Sequence, residues 1–186
     1  MEVMTEVTSE EASEVITEVT LADVLLNRER RVLRQRAVLE SFGRPLLSIT
    51  IVNPGPVKNS RAARQLMTQA LYALDILIAD RCWPILSREV RLDSTGPEAL
   101  LVVDAGSHDL KQAATRLEDE HPFGRLWDVD VIDPLRGAIS RRTLGLAPRR
   151  CLLCNEAAHV CVRSRSHPLQ KIQQAIQEII HAHREP

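Results

Sequence analysis

The nine residues GRLWDVDVI (124–132) constrain this chain more than any other stretch. They alternate with a period of two, so Trp127, Val129 and Val131 fall on one side of a strand and Asp128 and Asp130 on the other. The apolar side has to be buried under helices. The opposite side carries two carboxylates about 7 Å apart along the strand. Asp is disfavoured in strands, and like charges on one face repel. The fold must therefore contain a sheet with one fully buried face and a second face on which two negative charges find compensation.

The remaining elements build that sheet. Thr20 is placed to cap a helix over LADVLLNRERRVLRQRAVLES, with Leu21, Val24, Leu25, Val32 and Leu39 as its apolar stripe. PLLSITIVN (45–53) reads as a strand that ends at the PGP of residues 54–56. Ser60 caps a helix to about Arg81 whose core face holds Ala63, Leu66, Met67, Ala70, Leu71, Leu74, Leu77 and Ile78. Residues 85–93 and 98–105 read as a hairpin across STGP, Ser107 caps a further helix, and the Asp strand follows, closed by the turn PLRG (134–137). The resulting order βαββαβ, preceded by one helix, predicts an α+β fold, either ferredoxin-like or nucleotidyltransferase-like, with the helices on one face. Residues 141–168 form an Arg/Cys-rich module. A final helix over 169–183 presents Leu169, Ile172, Ile176, Ile179 and Ile180 on one side. The expected organisation is an acidic, poorly ordered lead-in over residues 1–19 and a single domain over 20–186.

Composition limits the function classes. Only 3% of residues are aromatic, so Leu, Ile, Val and Ala build the core, and base-stacking platforms for single-stranded nucleic acid are scarce. No apolar run approaches the length of a membrane span, and the N-terminus lacks the basic and apolar regions of a secretory signal, so a cytoplasmic protein is expected. Six of the 25 acidic residues lie in positions 1–19, which leaves 19 against 24 basic side chains in the remainder. All but Lys58, Lys111 and Lys171 of those basic residues are arginine, the side chain suited to bidentate recognition of phosphate or carboxylate.

The Asp pair, read by itself, is either a solvated strand face with each carboxylate near an arginine or a divalent-cation site. Mg²⁺ is commonly held by one or two carboxylates together with substrate phosphates, and there it neutralises charge on a transferring phosphoryl group. The neighbours favour the second reading. Lys58 lies in a Pro/Gly-rich loop between a strand and a helix N-terminus, a setting that binds anions. Arg125 precedes the pair, and Arg141, Arg142 and Arg149 follow it, as further phosphate-holding candidates. Glu118 is the candidate third carboxylate, with Asp119 and Glu120 equally near in sequence. Catalytic roles are thus expected of Asp128, Asp130 and Glu118, with Mg²⁺ on the two aspartates.

Cys151, Cys154 and Cys161 fall within eleven residues, and His167 follows. In a chain of this kind the C-x₂-C-x₆-C-x₅-H set suits a tetrahedral, structural Zn²⁺, with His159 as an alternative fourth ligand and redox-active or simply buried thiols as alternative readings. The module carries six arginines against one acid, Glu156, and needs an anionic partner. A non-enzymatic zinc module that recognises nucleic acid or an acidic protein is the rival to catalysis. It leaves the paired aspartates unexplained.

Five segments in this order, VNPGPVKNS, STGPEALLVV, HPFGRLWDVDVIDP, ISRRTLGLAPRRCLLC and HVCVRSRSH, resemble the apo-citrate lyase phosphoribosyl-dephospho-CoA transferases, also called citrate lyase holo-acyl-carrier-protein synthases. The resemblance spans roughly residues 20–183. It implies a nucleotidyltransferase that moves the 5-phosphoribosyl-dephospho-CoA unit from 2′-(5″-triphosphoribosyl)-3′-dephospho-CoA to a serine of the citrate lyase acyl carrier (gamma) subunit, with release of diphosphate. The implied partners are that carrier and that polyanionic donor, with no nucleic acid and no membrane.

Overall fold

The computed structural model describes residues 17–183. Most of the acidic lead-in expected over residues 1–19 therefore lies outside the described residues. Helix α1 (Leu21–Phe42) starts at a capping box in which Thr20 accepts from the Asp23 N–H and Asp23 accepts from the Thr20 N–H. It stops at Gly43, whose left-handed φ of 59° suits a residue without Cβ. Strand β1 (Leu46–Ile51), helix α2 (Arg61–Asp80, capped by Ser60), the hairpin β2 (Ile85–Asp93) and β3 (Gly96–Val103), helix α3 (Ser107–Glu120) and strand β4 (Trp127–Asp133) follow in the expected order. A short fifth strand, β5 (Gly137–Ile139), extends the sheet beyond PLRG.

The five strands form one antiparallel sheet in the order β2-β3-β1-β4-β5. Apart from the added β5, this is the ferredoxin-like split-βαβ order, with β3 inserted between β1 and β2. On one face Leu47, Ile49, Leu101, Val103, Trp127, Val129 and Val131 pack with Met67, Ala70 and Leu74 of α2 and Leu110, Ala113 and Ala114 of α3. Burying each of the large side chains stabilises the fold by about 1.5–3 kcal/mol.

The second face is also covered, contrary to the one-sided layering expected. Helix α1 lies over β3 and β1, where Val38 and Leu39 meet Leu46, Leu100 and Val102. Most of its attachment is polar. Arg31, Arg34 and Asn27 converge on the buried Glu98, and Gln35 donates to Ser48 Oγ at 2.9 Å. None of the 22 residues of α1 is fully buried, and the expected stripe is instead largely outward, with Leu21 74% and Leu25 48% exposed. Ser107 also departs from expectation. It begins α3 rather than capping it, and donates to Asp133 at 2.5 Å.

Beyond the sheet, the 141–168 module contains the short helix α4 (Ala158–Ser164), and helix α5 (Leu169–Ala182) returns to the body. Ile176 and Ile180 of α5 pack on Leu66 and Leu126. Among the described residues no helix is long and apolar enough to cross a membrane.

Candidate active site

Strand β4 sorts its side chains as the alternation requires, with Trp127, Val129 and Val131 buried and Asp128 and Asp130 exposed. The register with β1 places Asp130 beside Ser48 and Asp128 beside Thr50, and Thr50 pairs on its other side with Glu98. Because α1 covers β3 and β1, β4 presents its two carboxylates at the open margin of that layer. Solvent reaches Asp130, but the protein crowds it. Lost solvation first, then the charge of Asp128, push its pKa above the ordinary carboxylate value, against the opposing pull of Lys111 and Arg31. Lys111 and Arg31 offset this only in part, so two carboxylates that repel each other face the same margin of the sheet.

A cleft of about 370 Å³, reaching Asp128 through Arg149, is lined by Arg125, Arg141, Arg149 and Arg150, with Asp119, Leu146, Ala147 and Pro148. Arg149 donates to the carbonyls of Gly124 (2.8 Å) and Trp127 (2.6 Å), and its Nη1 stands 3.8 Å from Asp128. Arg125 donates to the carbonyls of Arg150 and Cys151 at 2.9 and 3.0 Å. Burial and the neighbouring Arg149 cation both lower the Arg125 pKa. Like charges crowded in this way are relieved by an anion, and phosphate oxygens match the guanidinium fork.

Glu118 is buried at the free edge of β4 beyond the end of β5. Its Oε1 accepts from the Val129 N–H at 2.9 Å and its Oε2 from Arg141 at 2.8 Å, with Arg149 4.0 Å away. Lys111 completes the same edge by donating to the Val129 carbonyl at 3.0 Å. Gly124 permits this packing, since a Cβ there would lie 2.4 Å from the Glu118 carbonyl oxygen.

Lys58 lies apart from the arginine cleft, in a smaller cleft of about 170 Å³ shared with Arg28, Arg31, Asn53, Thr50 and Glu98. Its ammonium donates to the Asn53 carbonyl at 2.7 Å, and burial lowers its pKa. Asp128 links the two clefts, being paired with Thr50 of one and close to Arg149 of the other. Arg142 is exposed on the 3₁₀ turn 141–144 and lines neither cleft. A third groove of about 660 Å³ runs over α3 past Arg81, Trp83 and Gln112, and shares Asp119 and Leu146 with the arginine cleft.

In the adjoining module, the Sγ atoms of Cys151, Cys154 and Cys161 and a ring nitrogen of His167 all lie within 4.8 Å of one another. Cys154 Sγ is 3.5 Å from Cys161 Sγ and 3.3 Å from His167 Nε2. Ligand atoms of a tetrahedral Zn²⁺ with Zn–S of about 2.3 Å stand roughly 3.8 Å apart, so this group is able to hold such a metal. His159 is exposed and outside the group.

A family model described as apo-citrate lyase phosphoribosyl-dephospho-CoA transferase matches residues 19–183. Proteins carrying that same description in Escherichia coli O7:K1 (strain IAI39 / ExPEC) and E. coli O1:K1 / APEC are 42% and 41% identical over 151 residues. Their counterpart in Shigella boydii serotype 18 is 41% identical over the same length, and each comparison covers 81% of this chain and 82% of the relative. The chain belongs to the apo-citrate lyase phosphoribosyl-dephospho-CoA transferase family. The matched region contains the Asp face, all three clefts and the cysteine group.

Within this transferase family member, the structure adds residues that pattern reading passed over. Arg150 lines the arginine cleft, Lys111 caps the strand edge and acts on Asp130, and Arg28 and Arg31 join Lys58. Arg150 had a visible signal, since it adjoins Arg149 in the basic module. Lys111 had none, because a lysine on an amphipathic helix reads as a solvated residue.

Proposed function

We propose that the chain is a nucleotidyltransferase that moves the phosphoribosyl-dephospho-CoA unit from its triphosphoribosyl donor to a serine hydroxyl of the citrate lyase acyl carrier subunit, in the cytoplasm. The serine oxygen forms a bond to the α-phosphorus, the bond from that phosphorus to the diphosphate oxygen breaks, and the serine proton is lost. The observation that carries this reading is the contiguity of the Asp face with the arginine cleft, joined where Arg149 stands 3.8 Å from Asp128.

Asp128 and Asp130 are the residues to hold Mg²⁺, which when bound supplies charge neutralisation at the departing diphosphate. Arg125, Arg141, Arg149 and Arg150 grip the phosphates, and Glu118 holds Arg141 and Arg149 in place. The serine proton passes to one of the two aspartates or to a third carboxylate. Lys58, with Arg28 and Arg31, offers a second contact for an anion on the far side of Asp128. The groove over α3 adds room for the rest of the donor, with the Trp83 ring as an apolar surface. The cysteine group takes a structural Zn²⁺.

The direct test combines the purified chain, the donor, Mg²⁺ and the apo carrier subunit, and measures the carrier by mass spectrometry. A mass increase on one serine equal to the phosphoribosyl-dephospho-CoA group is expected. An unmodified carrier, with a folded chain and all components present, rejects the proposal.

A further inference from the structure

The cysteine module is short of apolar material. Among residues 141–168 only Cys161 is buried, so no hydrophobic core of its own holds these loops in shape. Its backbone order comes from a few contacts close to the metal-ligand group. The segment around Arg150 bridges to Ala157, Cys151 N–H donates to the Glu156 carbonyl at 2.7 Å, and Ala158 N–H donates to the Arg149 carbonyl at 2.8 Å. This tight loop carries Cys151 and Cys154. Helix α4 then supplies Cys161, and a left-handed turn at Arg165 (φ 49°) leads to His167.

The same loop is the wall of the arginine cleft. Arg149 and Arg150 immediately precede the ligand Cys151, and Arg125, from the turn before β4, donates to the carbonyl of Cys151 itself. The Arg149 side chain runs from this loop to the backbone of Gly124 and Trp127 and to Asp128. Arg149, Arg150 and Arg125 are thus each tied to the ligand Cys151 over one or two residues or by a direct hydrogen bond.

We infer that the ion held by Cys151, Cys154, Cys161 and His167 braces the phosphate cleft, fixing Arg149, Arg150 and Arg125 as one rigid anion receptor. The ion touches no substrate, and these arginines act for it. The inference rests on the reading that this cleft receives the donor's phosphates. Affinity for zinc and affinity for a phosphate anion are then linked, and each raises the other by the same factor.

The experiment uses the full chain and inorganic diphosphate as probe, without Mg²⁺. Zinc per chain is measured by elemental analysis and diphosphate affinity by calorimetry, before chelation, after it, and after zinc is restored. About one zinc per chain is expected as purified. Its removal is expected to weaken diphosphate binding about tenfold, reversibly, while the far-UV spectrum persists. In Arg149→Ala, binding starts weaker and zinc removal weakens it by a smaller factor than in the wild type, because part of the coupling runs through Arg149 and the rest through Arg150 and Arg125. His167→Cys, which preserves four ligands, is expected to keep both zinc and affinity. Unchanged diphosphate affinity in a folded, zinc-free chain overturns the brace and leaves the phosphate cleft standing. Failure of the zinc-loaded chain to bind diphosphate overturns the cleft itself, and the brace with it. Collapse of the far-UV spectrum on zinc removal overturns the local brace in favour of an ion that the whole fold requires.

Discussion

Arg149 and Asp128 stand 3.8 Å apart, and the strand that carries the aspartate also anchors the arginine, through the Trp127 carbonyl at 2.6 Å. The guanidinium is therefore already oriented when an anion arrives, and little side-chain entropy remains to be lost on binding. Arg149→Lys keeps the charge but cannot keep both backbone contacts and the approach to Asp128 together. It is expected to raise the donor KM about tenfold and to leave kcat less affected, whereas Arg149→Ala loses about 10²-fold in kcat/KM through misplacement of the phosphates. Steady-state transfer to the carrier subunit measures both. Equal activity of wild type and Arg149→Ala contradicts the assignment.

Asp128→Asn and Asp130→Asn each remove a charge from an exposed position without changing shape. If both carboxylates hold the cation that meets the departing diphosphate, each variant loses about 10²–10³-fold in transfer rate while keeping a wild-type circular dichroism spectrum. The rival reading, a zinc module that only binds anions, expects anion binding to stay equal or strengthen when a carboxylate is lost. Diphosphate calorimetry on the same variants separates the two.

The Asp face was legible because period-two alternation is a local property of seven residues, and burying Trp127, Val129 and Val131 leaves the aspartates one place to go. The helices α2 and α5 were legible for a similar reason, since an apolar stripe at helical spacing records burial. The placement of α1 was not. Its docking rests on Arg31, Arg34 and Asn27 meeting a buried glutamate on a distant strand, and hydrophobic periodicity has no view of polar contacts across 60 or more residues. The basic residues divided in the same way. Composition identified an arginine-rich module, but only the packing of α3 against β4 separates Arg125, Arg141 and Arg149, which share a cleft, from Arg142, which does not.

Glu118 was a candidate for the chemistry because a carboxylate lay near the Asp strand in sequence. Its side chain is 5% exposed, with one oxygen on the Val129 N–H and the other on Arg141. Glu118→Ala leaves the buried Val129 N–H without its acceptor and Arg141 with Asp119 alone, and is expected to cost about 1–3 kcal/mol of stability. Glu118→Gln retains an acceptor for Val129 and removes the charge. It is expected to melt at lower temperature and to show a donor KM raised more than kcat is lowered. A loss confined to kcat in a fully stable Glu118→Gln would instead assign Glu118 to proton transfer.

Gly124 precedes the site by four residues and owes its identity to a close approach. A Cβ there would meet the carbonyl oxygens of Glu118 at 2.4 Å and Leu117 at 2.8 Å, both backbone atoms that cannot swing aside. Gly124→Ala must therefore push the end of α3 away from β4, an overpacking that costs about 1–3 kcal/mol. Because the Gly124 carbonyl also receives Arg149, this variant is expected to lower both the urea midpoint and the diphosphate affinity. A wild-type urea midpoint for Gly124→Ala removes the steric account.

Asp130 gives a pH signature that is independent of activity. Its pKa in the folded chain lies above the ordinary 3.8, through lost solvation and then the Asp128 charge. The folded state therefore favours the neutral acid, and the stability this group contributes is complete below the ordinary value and is lost as pH rises through the raised one. Asn at this position is neutral at every pH. Asp130→Asn is accordingly expected to melt above wild type at pH 7 and to converge on it as pH falls below about 3, where both side chains are largely uncharged. The gain stays small because solvent reaches the carboxyl. Saturating Mg²⁺ should narrow the gap at pH 7 by stabilising only the wild type. A variant that melts below wild type at neutral pH without metal reverses the sign and excludes an uncompensated carboxylate at this position.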